Sequence, residues 1–320
     1  MKLKDFRLIA APFTPMRADG SFNVAVVPEQ AAHLVASGVR GVFVGGTSGE
    51  GQSLTVDERM SLTETWAGDR LRSKLEFFVH VGHNCQDDAI RLAQHASSLG
   101  ADMIAMHAPT WFKQPTLTEL IDFCAPVAAA APALPFYLYD MPRVTGVHLS
   151  SAEFLAKGKP QIPTLAGIKY TNSDCMTVQE CIQLDGGAYD ILWGCDETLL
   201  AGVALGASGA VGSTYNFAAP LYLRMLEAVE ANDWDSARAE QSRAVAMVRI
   251  FEQFNTQAAV KFAMSIVGVD CGPVRPPLGN LTSADQRRLR GELDRIDFLS
   301  AIATSDRPAK HTVIASTKSA

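Results

Sequence analysis

A single lysine ends an otherwise apolar run at residues 164–171, Thr-Leu-Ala-Gly-Ile-Lys-Tyr-Thr. An ammonium packed among apolar groups loses its hydration, which favours the free amine, and a free amine attacks a carbonyl carbon. Lys169 is therefore a candidate Schiff-base nucleophile. The plain alternative is an ion pair, or a lysine that reaches solvent at a strand end. Residues 45–50, Gly-Gly-Thr-Ser-Gly-Glu, form a glycine and hydroxyl turn whose backbone N–H groups can cradle a carboxylate, unless it is an ordinary glycine-rich loop. Tyr139 closes the run Phe-Tyr-Leu-Tyr before a proline turn and is either a proton-carrying phenol or a core aromatic. Gly194-Cys195-Asp196-Glu197 and Gly212-Ser213-Thr214-Tyr215-Asn216 supply carboxylates and hydroxyls, although Asp196 also suits a helix cap. Taken together, these residues suggest one chemistry. An amine forms an imine with a 2-oxo acid, a phenol shuttles protons, an N–H nest holds the carboxylate, and the protonated imine acts as electron sink for making or breaking the adjacent carbon–carbon bond.

Such groups need a scaffold that brings them to one place. Strand-like runs at 8–11, 41–46, 77–82, 103–108, 136–141, 165–170, 189–195 and 210–215 alternate with helical stretches at 28–37, 57–67, 87–99, 117–130, 151–157, 177–184, 197–205 and 220–230. Thr55 with Glu58 and Ser150 with Glu153 read as helix caps, and Gly38, Gly100 and Gly206 as helix ends. Eight βα units without a G-x-G-x-x-G fingerprint favour an α/β fold of the (β/α)8 TIM-barrel type over an open sheet. Three further helical stretches, 234–254, 258–267 and 284–293, read as a C-terminal three-helix appendage. The expected division is a barrel over 1–230, the appendage over 231–300 and a disordered tail over 301–320. In such barrels reactive groups sit at the C-terminal ends of the strands. Alternation along the sixth strand puts Leu165, Gly167 and Lys169 on one face, so that Lys169 can enter the barrel mouth above a small Gly167.

A chain of 320 residues that is 48% hydrophobic and 19% charged can bury a large core, and a net charge of −6 gives no basic footprint for nucleic acid. No membrane span or signal peptide is expected. The six cysteines show no C-x-x-C pair, which points to reduced thiols in the cytoplasm and no metal site. His80 and His83 read as ordinary rim histidines, with no Cys or Asp expected beside them as co-ligands.

With its GGTSGE, YxxPxxTG and GIK signatures in order, the chain resembles the N-acetylneuraminate lyase and dihydrodipicolinate synthase family of class I aldolases over about its first 300 residues. The resemblance implies a small-molecule 2-oxo acid substrate of the pyruvate type, a homotetramer of TIM barrels, and neither metal nor organic cofactor. It implies that Lys169 forms the Schiff base, that Tyr139 relays protons with the Thr47 hydroxyl, and that Thr47, Ser48 and Gly49 hold the carboxylate. The Gly194–Glu197 and Gly212–Asn216 stretches are similar to the sialic acid-cleaving branch, in which Asp196, Glu197 and Ser213 would hold the polyol tail and Thr171 the middle of the substrate. That branch splits N-acetylneuraminate reversibly into pyruvate and N-acetylmannosamine. The alternatives are action on 2-keto-3-deoxy sugar acids, the synthase reaction, or pyruvate sensing without turnover. The synthase branch carries an arginine where this chain has Val144. Asp140, where the family commonly has Asn or His, is expected either to pair with Arg143 or to serve the substrate. Trp111 and Phe112 replace a tyrosine that reaches the neighbouring subunit in many members.

Overall fold

Helical segments follow the strands because the strands here are buried on both faces and most of the helices between them on only one, so the strands close on themselves and the helices wrap them. In the computed structural model, which describes residues 6–113 and 116–303, the strands are β1 (Arg7–Ala10), β2 (Gly41–Val44), β3 (Glu76–His80), β4 (Met103–Met106), β5 (Phe136–Asp140), β6 (Leu165–Tyr170), β7 (Asp190–Trp193) and β8 (Gly209–Gly212). All pairings are parallel, and β8 returns to β1 through the register Arg7↔Gly209 to Ala10↔Gly212, closing the barrel. The helices between strands are α1 (Val27–Ala36), α2 (Val56–Ala67), α3 (Gln86–Ser98), α4 (Leu117–Ala129), a four-residue α5 (Pro142–Thr145), α6 (Ser151–Gly158), α7 (Cys175–Gln183) and α8 (Leu199–Leu205). After β8 come α9 (Tyr215–Glu230), α10 (Trp234–Phe251), α11 (Thr256–Ile266), α12 (Ser283–Arg295) and α13 (Phe298–Ile302). Helix α13 runs past residue 300, where the tail was expected to begin, and residues 304–320 lie outside those described.

The local signals behave as their chemistry requires. Thr55 and Glu58 form a reciprocal capping box at α2, and Ser150 accepts the Glu153 N–H at α6. Gly38, Gly100 and Gly206 take positive φ just past their helices. Asp196 is different, since it makes no cap bond at the 3-10 turn or helix that follows it.

The interior holds Ile9, Phe43, Phe78, Met103, Tyr137, Tyr139, Leu192 and Val211 in one apolar cluster, separate from the larger layer between sheet and helices. The face assignment on β6 needs one correction. The register slips between Phe136 and Tyr137, so Leu165 packs in the helix layer while Ala166 turns inward, and clean alternation begins only at Gly167. The space at Gly167 is also already occupied, since a Cβ there would stand 1.9 Å from the Asp190 carbonyl oxygen and 2.8 Å from the Tyr137 ring. At the N-terminal end of the strands, Asp190 accepts from Arg7 and Ser208 and from the Tyr137 hydroxyl at 2.6 Å, forming a polar floor.

The C-terminal helices are tied to the barrel by a buried ion pair. Lys261 of α11 donates to Glu50 at 2.9 Å, with side-chain exposures of 1% and 0%, and also to the carbonyls of Thr14 and Pro273. The second Glu50 oxygen accepts the Arg275 N–H at 2.7 Å. Both charges are thus paired and their remaining hydrogen-bonding capacity is used. Removing one partner strands the other without solvent. Lys261→Met is expected to lower the unfolding free energy by ~3–5 kcal/mol in urea titrations, and Glu50→Gln combined with Lys261→Met to recover part of that loss. A single variant as stable as the parent would refute this reading of the pair.

Candidate active site

Strand register alone brings the two central groups together. Tyr139 on β5 lies directly beside Lys169 on β6, and both side chains turn into the barrel near its C-terminal mouth. Lys169 is 4% exposed, and its Nζ sits 3.7 Å from the centroid of the Tyr139 ring and 4.2 Å from that of Phe43. The amine therefore meets aromatic faces where it would otherwise meet water, and no carboxylate forms a salt bridge with it among the described residues. The Tyr139 hydroxyl lies 3.3 Å from Thr47 Oγ1, so phenol and threonine form a short chain of exchangeable protons leading to the exposed end of the cavity.

Residues 45–50 follow β2, and their carbonyl groups are all engaged. Gly45 O faces His80 Nδ1 at 3.1 Å, Gly46 O accepts the Gly51 N–H, and Thr47 O accepts the Glu50 N–H. Ser48 O accepts from Gln257 Nε2 at 2.5 Å, and Gly49 O from the Thr14 hydroxyl at 2.5 Å. A trans peptide points its N–H opposite to its carbonyl, so holding these oxygens turns the Thr47, Ser48 and Gly49 N–H groups the other way. Among the described residues none of the three N–H groups has a backbone acceptor. Thr47 and Ser48 line the cavity, so the geometry leaves these N–H groups available to an acceptor there.

Across the mouth, Thr171, Gly194, Asp196, Glu197 and Ser213 line the same cavity of about 610 Å³. Gly194 passes so close to Thr171 that a Cβ would lie 1.9 Å from Oγ1, a hydroxyl that is buried without a partner among the described residues. Gly212 is held to glycine in the same way by Asp196 Oδ1, also 1.9 Å from a Cβ placed there. Asp196 is 5% exposed, and its Oδ2 accepts both the Thr214 N–H at 2.8 Å and the Thr214 hydroxyl at 2.7 Å. Burial raises its pKa to about 6, against the opposing pull of the Thr214 bonds. One Asp196 oxygen is thus committed to structure, whereas the half-buried Glu197 carboxylate makes no hydrogen bond to the described residues. The sequence-predicted site residues meet in this one place, except that Gly49 stands behind the nest and does not line the cavity.

Some expectations fail. Asp140 does not pair with Arg143. Next to inward Tyr139 it points outward, where it accepts from Asn172 Nδ2 at 3.2 Å and burial raises its pKa, while Arg143 is exposed at the cavity edge. His83 does have Cys85 and Asp88 beside it, with donor atoms within 4.8 Å of one another, but its Nδ1 already accepts the Cys85 N–H and none of the three lines the cavity. His80 is fully buried. Its Nδ1 lies 3.1 Å from the Gly45 carbonyl oxygen and 3.3 Å from the Arg59 guanidinium, and burial followed by the nearby His107 and Arg59 holds it well below the usual histidine pKa. The part of Thr214, which lies within the quoted Gly212–Asn216 stretch, as the partner of Asp196 was not foreseen, and Gln257 and Lys261 were missed because no local pattern marks them. They come from segments remote in sequence and act through single contacts.

The Asp196 environment has a pH signature. The folded state keeps this proton up to about pH 6, whereas the unfolded chain releases it near the ordinary 3.8. The stability contributed by this group therefore falls as pH rises through that window, by ~3 kcal/mol in all. Asp196→Asn has no proton to lose, so urea titrations are expected to show the variant gaining on the parent across the window between 3.8 and about 6, by most of that amount between pH 4 and 7. A pH-independent difference between them would rule out the raised carboxyl.

The dihydrodipicolinate synthetase family model matches residues 4–296. The chain is 39% identical over 298 residues to N-acetylneuraminate lyase of Mus musculus, covering 92% of this chain and 93% of that one. Among solved structures it is similar to Proteus mirabilis N-acetylneuraminate lyase, with a TM-score of 0.89 at 37% identity over 92% of this chain and 99% of that one. It is also similar to the sialic acid aldolase of Aliivibrio salmonicida, with a TM-score of 0.88 at 34% identity over 92% and 97% of the two chains. The chain, with its lysine, phenol and N–H turn on adjacent parts of one closed barrel, belongs to the dihydrodipicolinate synthetase family.

Proposed function

We propose that the chain is a lyase that cleaves N-acetylneuraminate reversibly to pyruvate and N-acetylmannosamine through an imine on Lys169. The observation that carries this reading is the approach of Lys169 Nζ to the Tyr139 ring at 3.7 Å, in a cavity whose rim holds an N–H nest. The Thr47 and Ser48 N–H groups, with Gly49 shaping the turn, take the carboxylate and fix the keto carbon over the amine. Nζ adds to that carbon, water leaves, and a protonated imine forms. Tyr139, working with the substrate carboxylate and Thr47, accepts the C4 hydroxyl proton as the C3–C4 bond breaks, and the electron pair moves into the imine to give an enamine. The aldehyde departs as the amino sugar, the enamine carbon takes a proton back, and water releases pyruvate and the free amine.

The distal groups suit a polyol. Glu197 carries unspent acceptor capacity, Ser213 adds a hydroxyl, and Thr171 lines the same cavity. Val144 rather than arginine at the rim is consistent with a neutral acceptor sugar, not a second carboxylate. The homotetramer and the cytoplasmic setting are part of the same reading. Trp111, 79% exposed beside α3, is apolar surface that a subunit contact would cover, and all six cysteines are free thiols.

Borohydride with pyruvate is expected to add one reduced pyruvate to the parent, mapped to Lys169 by peptide mass, and nothing to Lys169→Ala. Tyr139→Phe is expected to form the same adduct while its kcat drops about 10²–10⁴-fold, because the proton that lets water leave during imine formation can come from solvent over the long trapping time, whereas bond cleavage in each turnover needs the placed phenol. Release of N-acetylmannosamine from N-acetylneuraminate is the expected activity. Turnover of shorter 2-keto-3-deoxy sugar acids alone would remove the tail roles of Asp196 and Glu197.

A further inference from the structure

The anion nest is not self-supporting. Of the five carbonyls of residues 45–49, two are held within the turn, and three are held by side chains from elsewhere: His80 on β3, Thr14 after β1 and Gln257 on α11. His80 and Thr14 belong to the barrel itself. Gln257 belongs to the C-terminal helices and is half-buried at the cavity edge, where it lines the same space as Thr256, Val260, Phe251 and Glu252. Its single amide donor reaches the Ser48 carbonyl, and through the peptide plane it fixes the direction of the Gly49 N–H and holds the Ser48 main chain against the cavity. Four residues further along α11, Lys261 clamps the Glu50 carboxylate, so one face of this helix grips both the middle and the end of the turn.

We infer that Gln257 is a positioning residue for the 2-oxo acid carboxylate: it orients the Ser48–Gly49 peptide so that the turn presents its N–H groups to the bound acid. The inference rests on the Schiff-base reading and adds to it a part for the C-terminal helices in recognising the carboxylate. A residue that merely filled space would affect every carbonyl compound alike. One that aims N–H groups at a carboxylate affects only compounds that carry one.

The test compares borohydride trapping of pyruvate and of acetone, which forms the same kind of imine without a carboxylate. Gln257→Met keeps the side-chain length but has no donor. It is expected to raise the pyruvate concentration for half-trapping about tenfold, the loss of one hydrogen bond that orients a charge contact, with acetone trapping changed less than twofold. Gln257→Glu, similar in shape and placed where the parent residue is half-hydrated, is expected to show the same split and serves if the methionine variant does not fold. Equal weakening of both compounds, or no change in either, overturns the positioning role while leaving the Lys169 imine intact. Failure of the parent itself to trap pyruvate overturns the imine reading, and the inference with it.

Discussion

A carboxylate sealed from water must find its partners within the protein, and Glu50 finds them in segments more than 200 residues away in sequence, the Lys261 ammonium and the Arg275 N–H. Glu50 itself adopts a left-handed backbone at φ 53°, which an ordinary side chain takes only where its surroundings enforce it. The buried charge supplies that enforcement. Around it the glycine-rich turn is pinned carbonyl by carbonyl, and the N–H groups left over are the ones proposed to take the carboxylate. A loop that looks like the softest part of the chain is therefore among the most constrained.

The amine and the phenol depend on a different device. Parallel register places Tyr139 beside Lys169, and Phe43 from β2 closes the other side of the ammonium. Because the strands are short and the barrel interior is packed with rings, the lysine has little freedom to turn away. Pre-placement of this kind lowers the entropy lost on reaching a reactive geometry, which is a large part of what a rigid site contributes. The polar floor of Asp190, Arg7, Ser208 and Tyr137 lies beneath it and braces the other end of the same strands.

Much of this was legible from sequence because the carriers are local. An apolar run ending in lysine, a Gly-Gly-Thr-Ser-Gly turn and a strand-end tyrosine each announce themselves within a few residues, and the βα alternation places them at one end of a barrel. The slip at Ala166 was not legible, because a bulge depends on how a neighbouring strand pairs and leaves no mark on hydrophobic periodicity. Two roles were left open for Asp140, pairing with Arg143 or serving the substrate, although alternation on β5 contained the answer: if Tyr139 points inward, its neighbour points to the helices. Asp196 looked like a helix cap by position, and only the arrival of β8 with Thr214 shows where its oxygen is spent. Gln257 could not be found at all, since a lone glutamine on a helix has no signature until the fold sets it against Ser48.

The closed floor also governs traffic. With Asp190 and its partners closing the N-terminal end of the strands, the cavity opens at the C-terminal mouth, and on the reading proposed above a molecule tethered to Lys169 would occupy the inner berth. On that reading, whichever fragment stayed tethered would sit behind the one that had come loose, so depth alone would dictate a queue: the untethered sugar would depart first, and on the return journey the keto acid would dock before the sugar.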